Sequence, residues 1–75
     1  VGAVYPNPMA SEFSVYTGNT ERTTVELFDV QGRLVFQTQT DGIGNTFYPD
    51  LRPGLYYYRL TSSGQIIHVG KIIRK

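Results

Sequence analysis

TTVELFDVQGRLVFQTQT, residues 23–40, reads as one β-hairpin written out in full. Before its turn, Thr23, Val25 and Leu27 alternate with Thr24, Glu26 and Phe28; after it, Leu34 and Phe36 alternate with Val35 and Gln37. An apolar period of two belongs to a strand with one buried face, so Val25 and Leu27 are expected in the core. A helix over these residues would hold Thr23, Thr24, Val25, Val30 and Gly32 against their propensities. Between the arms stands Asp29-Val30-Gln31-Gly32. Its Asp can bond the backbone two residues on, and its Gly can take positive φ at the end of a type I turn or a bulged hairpin loop.

Outward from the hairpin, toward the N-terminus, Phe13 to Tyr16 predicts a short strand ended by Gly18-Asn19. Ahead of it, Ala3-Val4-Tyr5 followed by Pro6-Asn7-Pro8 predicts a short edge strand stopped by two prolines, which remove donors and fix φ. On the other side, Asp41 to Asn45 is a loop, and Thr46, Phe47 and Tyr48 form a brief strand. Asp50-Leu51-Arg52-Pro53-Gly54 reads as a tight turn with Gly54 at positive φ, as a type II turn prefers after Pro. Leu55 to Thr61 is then a strand with Tyr56, Tyr58 and Leu60 facing the core. Ser62-Ser63-Gly64 turns the chain into a last strand, Gln65 to Arg74, whose aliphatic residues fall on both faces and where Gly70 is expected as a bulge.

About seven short strands with turn signals roughly every 8–12 residues, and no stretch of helical period, predict an all-β fold, an immunoglobulin-like antiparallel β-sandwich. A small barrel is the competing architecture. The 75 residues make a single domain, and a chain so short buries only about 60% of its unfolded surface. With no Cys, neither disulfides nor thiolate metal sites brace it; four Phe and six Tyr are expected to supply most of the core's bulk. The net charge of +1, from seven basic and six acidic residues, gives no reason to expect nucleic-acid binding. No apolar run approaches the roughly 20 residues of a membrane span, so direct membrane insertion is not expected. The start, VGAVYPNP, lacks the regions of a signal peptide, so residue 1 reads as a domain boundary within a longer protein. An N-terminal strand tethered only by residues 6–8 can pair with a second copy instead of its own sheet, which predicts a strand-swapped homodimer at high concentration.

The residues do not read as an enzyme. One His, no Cys and six scattered carboxylates do not assemble a triad, a metal site or a cofactor site. His68, among Ile66, Ile67 and Val69, reads as a half-buried or surface strand residue. Asp29 and Asp50 stand at turn positions where Asp bonds backbone, and Gly42-x-Gly44 has no following helix to make it a phosphate loop. The run Tyr56-Tyr57-Tyr58 must turn at least one ring outward, where it could stack on sugar or on a partner. Lys71, Arg74 and Lys75 place three of the seven basic residues in the last five positions, on an apolar strand that runs to the end of the sequence.

Four motifs carry a resemblance. Tyr5-Pro6-Asn7-Pro8, the hairpin's Leu27 to Val35 (LFDVQGRLV), Leu51 to Tyr56 (LRPGLY) and Gly70 to Lys75 (GKIIRK) resemble, in order and spacing, the C-terminal sorting domain (type A) of type IX secretion system substrates. The resemblance spans all 75 residues. It implies an immunoglobulin-like sandwich at the end of a secreted cargo protein, exported by the Sec route to the periplasm and then passed to the cell surface or secreted. The implied partners are the outer-membrane type IX translocon and its shuttle and sortase proteins, the sortase often removing the domain later; no cofactor is implied. Translocon recognition carries over onto Gly54, Tyr56, Lys71, Ile73 and Lys75, and structural motif positions onto Pro6, Asn7, Pro8, Asp29 and Gly32. The alternative from the residues alone is a carbohydrate- or protein-binding adhesion module.

Overall fold

The computed structural model describes residues 3–6, 8–18, 22–40 and 43–75. Among these described residues seven strands follow one another: β1 (Ala3–Tyr5), β2 (Phe13–Tyr16), β3 (Thr24–Phe28), β4 (Leu34–Gln39), β5 (Gly44–Phe47), β6 (Gly54–Ser62) and β7 (Gln65–Arg74). They form two antiparallel sheets, β1-β2-β5 and β4-β3-β6-β7, so the fold is the expected β-sandwich and not a closed barrel. Among the described residues no helix is long and apolar enough to cross a membrane.

The hairpin at residues 23–40 forms as its pattern requires. Val25 and Leu27 are fully buried, while Glu26, on the opposite face, pairs with Arg59 at 2.8 Å. Thr40 N–H donates to the Thr23 carbonyl at 2.8 Å and Thr23 N–H to Thr40 Oγ1 at 3.1 Å, closing the base of the hairpin out of water. The two sheets meet across aromatic rings: Phe13 of β2 meets Phe36 of β4 edge-on at 5.9 Å and Phe47 of β5 at 5.6 Å. Around them lie Met9, Val15, Leu51, Tyr56, Tyr58, Leu60 and Ile72, all buried. As expected, Tyr56, Tyr58 and Leu60 form the inward face of β6.

Three expectations need correcting. The aromatic residues do not supply most of the core: only Phe13, Tyr56 and Tyr58 are among its buried residues, beside seven Met, Val, Leu and Ile side chains, and alternation leaves Tyr5, Tyr16 and Tyr57 exposed, as is Tyr48. The fifth strand runs from Gly44 to Phe47 rather than from Thr46 to Tyr48, because pairing and not propensity sets it: Tyr16, Val15, Ser14 and Phe13 of β2 face Gly44, Asn45, Thr46 and Phe47 in turn, and Tyr48 lies beyond them, 71% exposed. Gly70 is not a bulge. It stands in regular register opposite Tyr58, and the irregularity lies where Leu60 pairs His68 while Thr61 pairs Ile66, leaving Ile67 as the extra residue. After that bulge, His68, Gly70 and Ile72 share the inward face and Val69, Lys71 and Ile73 the outward one. Gly70 faces the Tyr58 ring so closely that a Cβ there would stand 2.5 Å from Tyr58 Oη. The hairpin joining β6 to β7 turns on Ser63 and Gly64, both at positive φ (51° and 77°), the signature of a type I′ turn.

Candidate recognition site

The four sequence motifs, far apart in the chain, gather at one end of the sandwich. In the β3–β4 turn, Asp29 Oδ1 accepts from Gln31 N–H at 2.9 Å and from Arg33 N–H at 3.0 Å, and Gly32 N–H donates to the Asp29 carbonyl at 3.0 Å. Gly32 sits at φ 85°, so the loop is a type I turn closed by a left-handed glycine, as its sequence predicts. Arg33 Nε returns to Asp29 Oδ2 at 2.8 Å. Chiefly the Arg33 backbone N–H, with the Arg33 side chain and Gln31 N–H added, holds the Asp29 carboxyl below its ordinary value, against a smaller opposing effect of burial. Asp29 is thus occupied in building the turn. It lines the same shallow depression as Asp50, between this turn and residues 50–52.

A second depression separates the Asp29–Arg33 turn from Pro53, Gly54 and Leu55. Here the LRPGLY motif closes on itself. Leu51 is buried, and Tyr56, 8% exposed, donates its phenol to the Arg52 carbonyl at 2.6 Å, four residues back. Gly54 has positive φ, as expected, though at 153° it is more extended than the ~80° of a type II turn. A Cβ on Gly54 would touch nothing, so its requirement is one of backbone conformation alone.

LRPGLY and GKIIRK are partners across the sheet. Gly54 pairs Arg74, Leu55 pairs Ile73, Tyr56 pairs Ile72 and Tyr57 pairs Lys71. Alternation sends Ile72 into the core, fully buried, and leaves Lys71, Ile73 and Lys75 exposed, with Ile73 at 48%. Tyr57, 40% exposed, stands in the same outward row as Lys71. Further along that face Arg59 lies over the Phe28 ring at 5.1 Å and pairs with Glu26.

The first motif reaches this end through a residue that sequence reasoning passed over. Met9, directly after Pro8, is fully buried, and its backbone flanks the outer side of the tail: Met9 N–H donates to the Ile73 carbonyl at 2.7 Å and Lys75 N–H to the Met9 carbonyl at 2.9 Å. The contact is a parallel bridge between Met9 and Arg74. The available signal was one large apolar side chain among the small or polar residues Pro8, Ala10, Ser11 and Glu12. Pro6 follows a cis peptide bond and, like Pro8, is exposed; Asn7 lies outside the described residues, as do Asn19, Asp41 and Gly42.

His68 is half-buried, its Nε2 2.9 Å from Tyr58 Oη. Burial raises the Tyr58 phenol above its ordinary value. Among the described residues no three His, Cys, Asp or Glu side chains are gathered as a metal site would need.

A family model described as a secretion system C-terminal sorting domain matches residues 3–75. The chain belongs to that family. No curated protein matches it. The sorting domain is a C-terminal sorting signal for type IX secretion, which implies interaction with the secretion machinery and export to the cell surface or secretion. Of the positions expected to act in this sorting domain, Lys71, Ile73 and Lys75 are displayed on the surface. Tyr56 is enclosed, and Gly54 shapes the turn beside them. Asp29 and Gly32 build the neighbouring turn.

Proposed function

We propose that the address read by the type IX machinery is the outward row of the last strand, Lys71, Ile73 and Lys75, held in place by the LRPGLY turn against which that strand is paired. Gly54 and Tyr56 act indirectly, Gly54 by its backbone conformation and Tyr56 by fastening the turn through Arg52. Pro6 and Pro8 carry the chain from β1 toward Met9, and Asp29 with Gly32 closes the turn beside the site. The observation that carries this reading is the register Leu55–Ile73 and Tyr57–Lys71, which supports one contiguous basic and apolar surface made from two motifs.

The domain works by being recognised and not by catalysis. It forms the end of a longer protein that reaches the periplasm by the Sec route, and its partners are the outer-membrane translocon with its shuttle and sortase proteins. A homodimer swapping β1 between copies fits the same fold, because β1 is an edge strand whose sheet neighbour among the described residues is β2; scattering that stays monomeric at high concentration would exclude it. The adhesion alternative gains nothing from the family match. The direct test fuses these 75 residues to a periplasmic reporter in a type IX-competent host. The reporter is expected at the cell surface, and its retention in the periplasm would overturn the reading.

A further inference from the structure

The tail is held from both sides. Toward the sheet interior, Arg74 and Ile73 pair with Gly54 and Leu55 of β6. On the opposite side two of the groups that an edge strand ordinarily offers to another strand are already used, since the Ile73 carbonyl accepts from Met9 N–H and Lys75 N–H donates to the Met9 carbonyl. Met9 is anchored by a fully buried side chain, so the segment cannot leave the tail without exposing apolar surface. The side chains of Lys71, Ile73 and Lys75 remain outward throughout.

From this we infer that the Met9 segment is a latch which keeps residues 73–75 in the sheet while the address is read, so that the partner recognises a preformed side-chain surface and does not add a strand of its own to the tail's outer edge. The inference rests on the reading that the tail is the address, and it concerns how that address is presented. Its consequence is a coupling between distant parts of the chain: the N-terminal segment must be closed on the sandwich for the tail to be displayed. Strand addition would need the reverse, with Met9 displaced so that its two backbone bonds can be remade by the partner.

A reversible crosslink separates the two modes. The chain has no cysteine, so Met9→Cys with Arg74→Cys introduces the only possible pair. Bridge partners on neighbouring strands lie about 4.7–4.9 Å apart, within the about 4.4–6.8 Å span of a disulfide. Fused to a cysteine-free periplasmic reporter, the oxidised form is expected to reach the surface with no loss relative to the reduced form of the same variant. Retention of the oxidised form with delivery of the reduced one would mean that the latch must open, and would overturn the inference. Retention of both forms of a folded variant would also count against it, because the Met9 and Arg74 side chains are given no part in recognition. Amide exchange on the unaltered chain supplies a second arm: Lys75 N–H should be protected along with the β6–β7 ladder, and its unprotected exchange would overturn the latch whatever the delivery result. Failure of the address itself is seen separately, as normal delivery of a folded Lys71→Ala, Lys75→Ala variant with the latch untouched.

Discussion

A single methyl group added at Gly70 should unseat the core's tyrosine. A Cβ there would stand 2.5 Å from Tyr58 Oη, 2.7 Å from Cζ and 2.8 Å from Cε2. Comfortable carbon contacts begin near ~3.5 Å, so the ring must retreat by about 1 Å. It has little room, being 9% exposed and bonded to His68 Nε2 at 2.9 Å. Overpacking of this kind costs about 1–3 kcal/mol, and losing the phenol's hydrogen bond adds about 1 kcal/mol. Replacing a strand glycine by alanine returns roughly 0.5–1 kcal/mol of backbone entropy. Gly70→Ala is therefore expected to destabilise the domain by about 1–3 kcal/mol on these terms, which at ~4–8 °C per kcal/mol for a chain of this size lowers Tm by about 10 °C. Thermal unfolding followed by circular dichroism measures it. Adding Tyr58→Phe removes the nearest atom, Oη, and should make the Gly70 substitution less costly than it is in the original background. A Tm for Gly70→Ala equal to or above that of the parent would refute the reasoning.

Three further outcomes are expected of the protein. Leu27→Ala, at a fully buried position between β4 and β6, should cost about 2–4 kcal/mol in chemical denaturation; a loss below about 1 kcal/mol would place Leu27 outside the core. Gly54→Val forces a β-branched residue to φ 153° and should cost more than about 1 kcal/mol, through backbone conformation and not through contact of the Cβ with a neighbouring residue; a variant as stable as the parent contradicts it. Because the folded Asp29 carboxyl titrates below its unfolded value, its contribution is present above the ordinary carboxylate range and is lost as pH falls below about 4; Asp29→Asn should flatten the acid limb of stability against pH, and an unchanged limb would show that the turn's bonds do not favour the ionised form.

How far the residues alone reveal this arrangement depends on whether a constraint is local. The Asp29–Gly32 turn was legible because one side chain and one glycine determine it, and Val25 and Leu27 because alternation over five residues fixes a face. The burial of Tyr56 and Tyr58 followed from the same rule, leaving Tyr57 outward. What escaped was set by contacts between segments. Gly70 suggested a bulge when only its own strand was considered; its purpose depends on Tyr58, twelve positions earlier and directly opposite. Met9 gave almost no periodic signal, since it forms a single bridge and belongs to no strand, yet it joins the first motif to the last. The start of β5 at Gly44-Asn45, poor strand formers, was likewise decided by β2. At the proposed recognition site the sequence supplied the residue types and their order, while their convergence required the β6–β7 register.

In the proposed reading, sorting by this domain depends most directly on the exposed row of the last strand. Lys71→Ala with Lys75→Ala spares buried Ile72 and half-exposed Ile73, and at exposed positions each change should alter stability by no more than about 0.5 kcal/mol, which a thermal melt verifies. With the 75-residue domain fused to a periplasmic reporter, surface delivery of this folded double variant should fall sharply and the reporter should accumulate in the periplasm. Delivery at the unaltered level would contradict the claim that these basic side chains form the address.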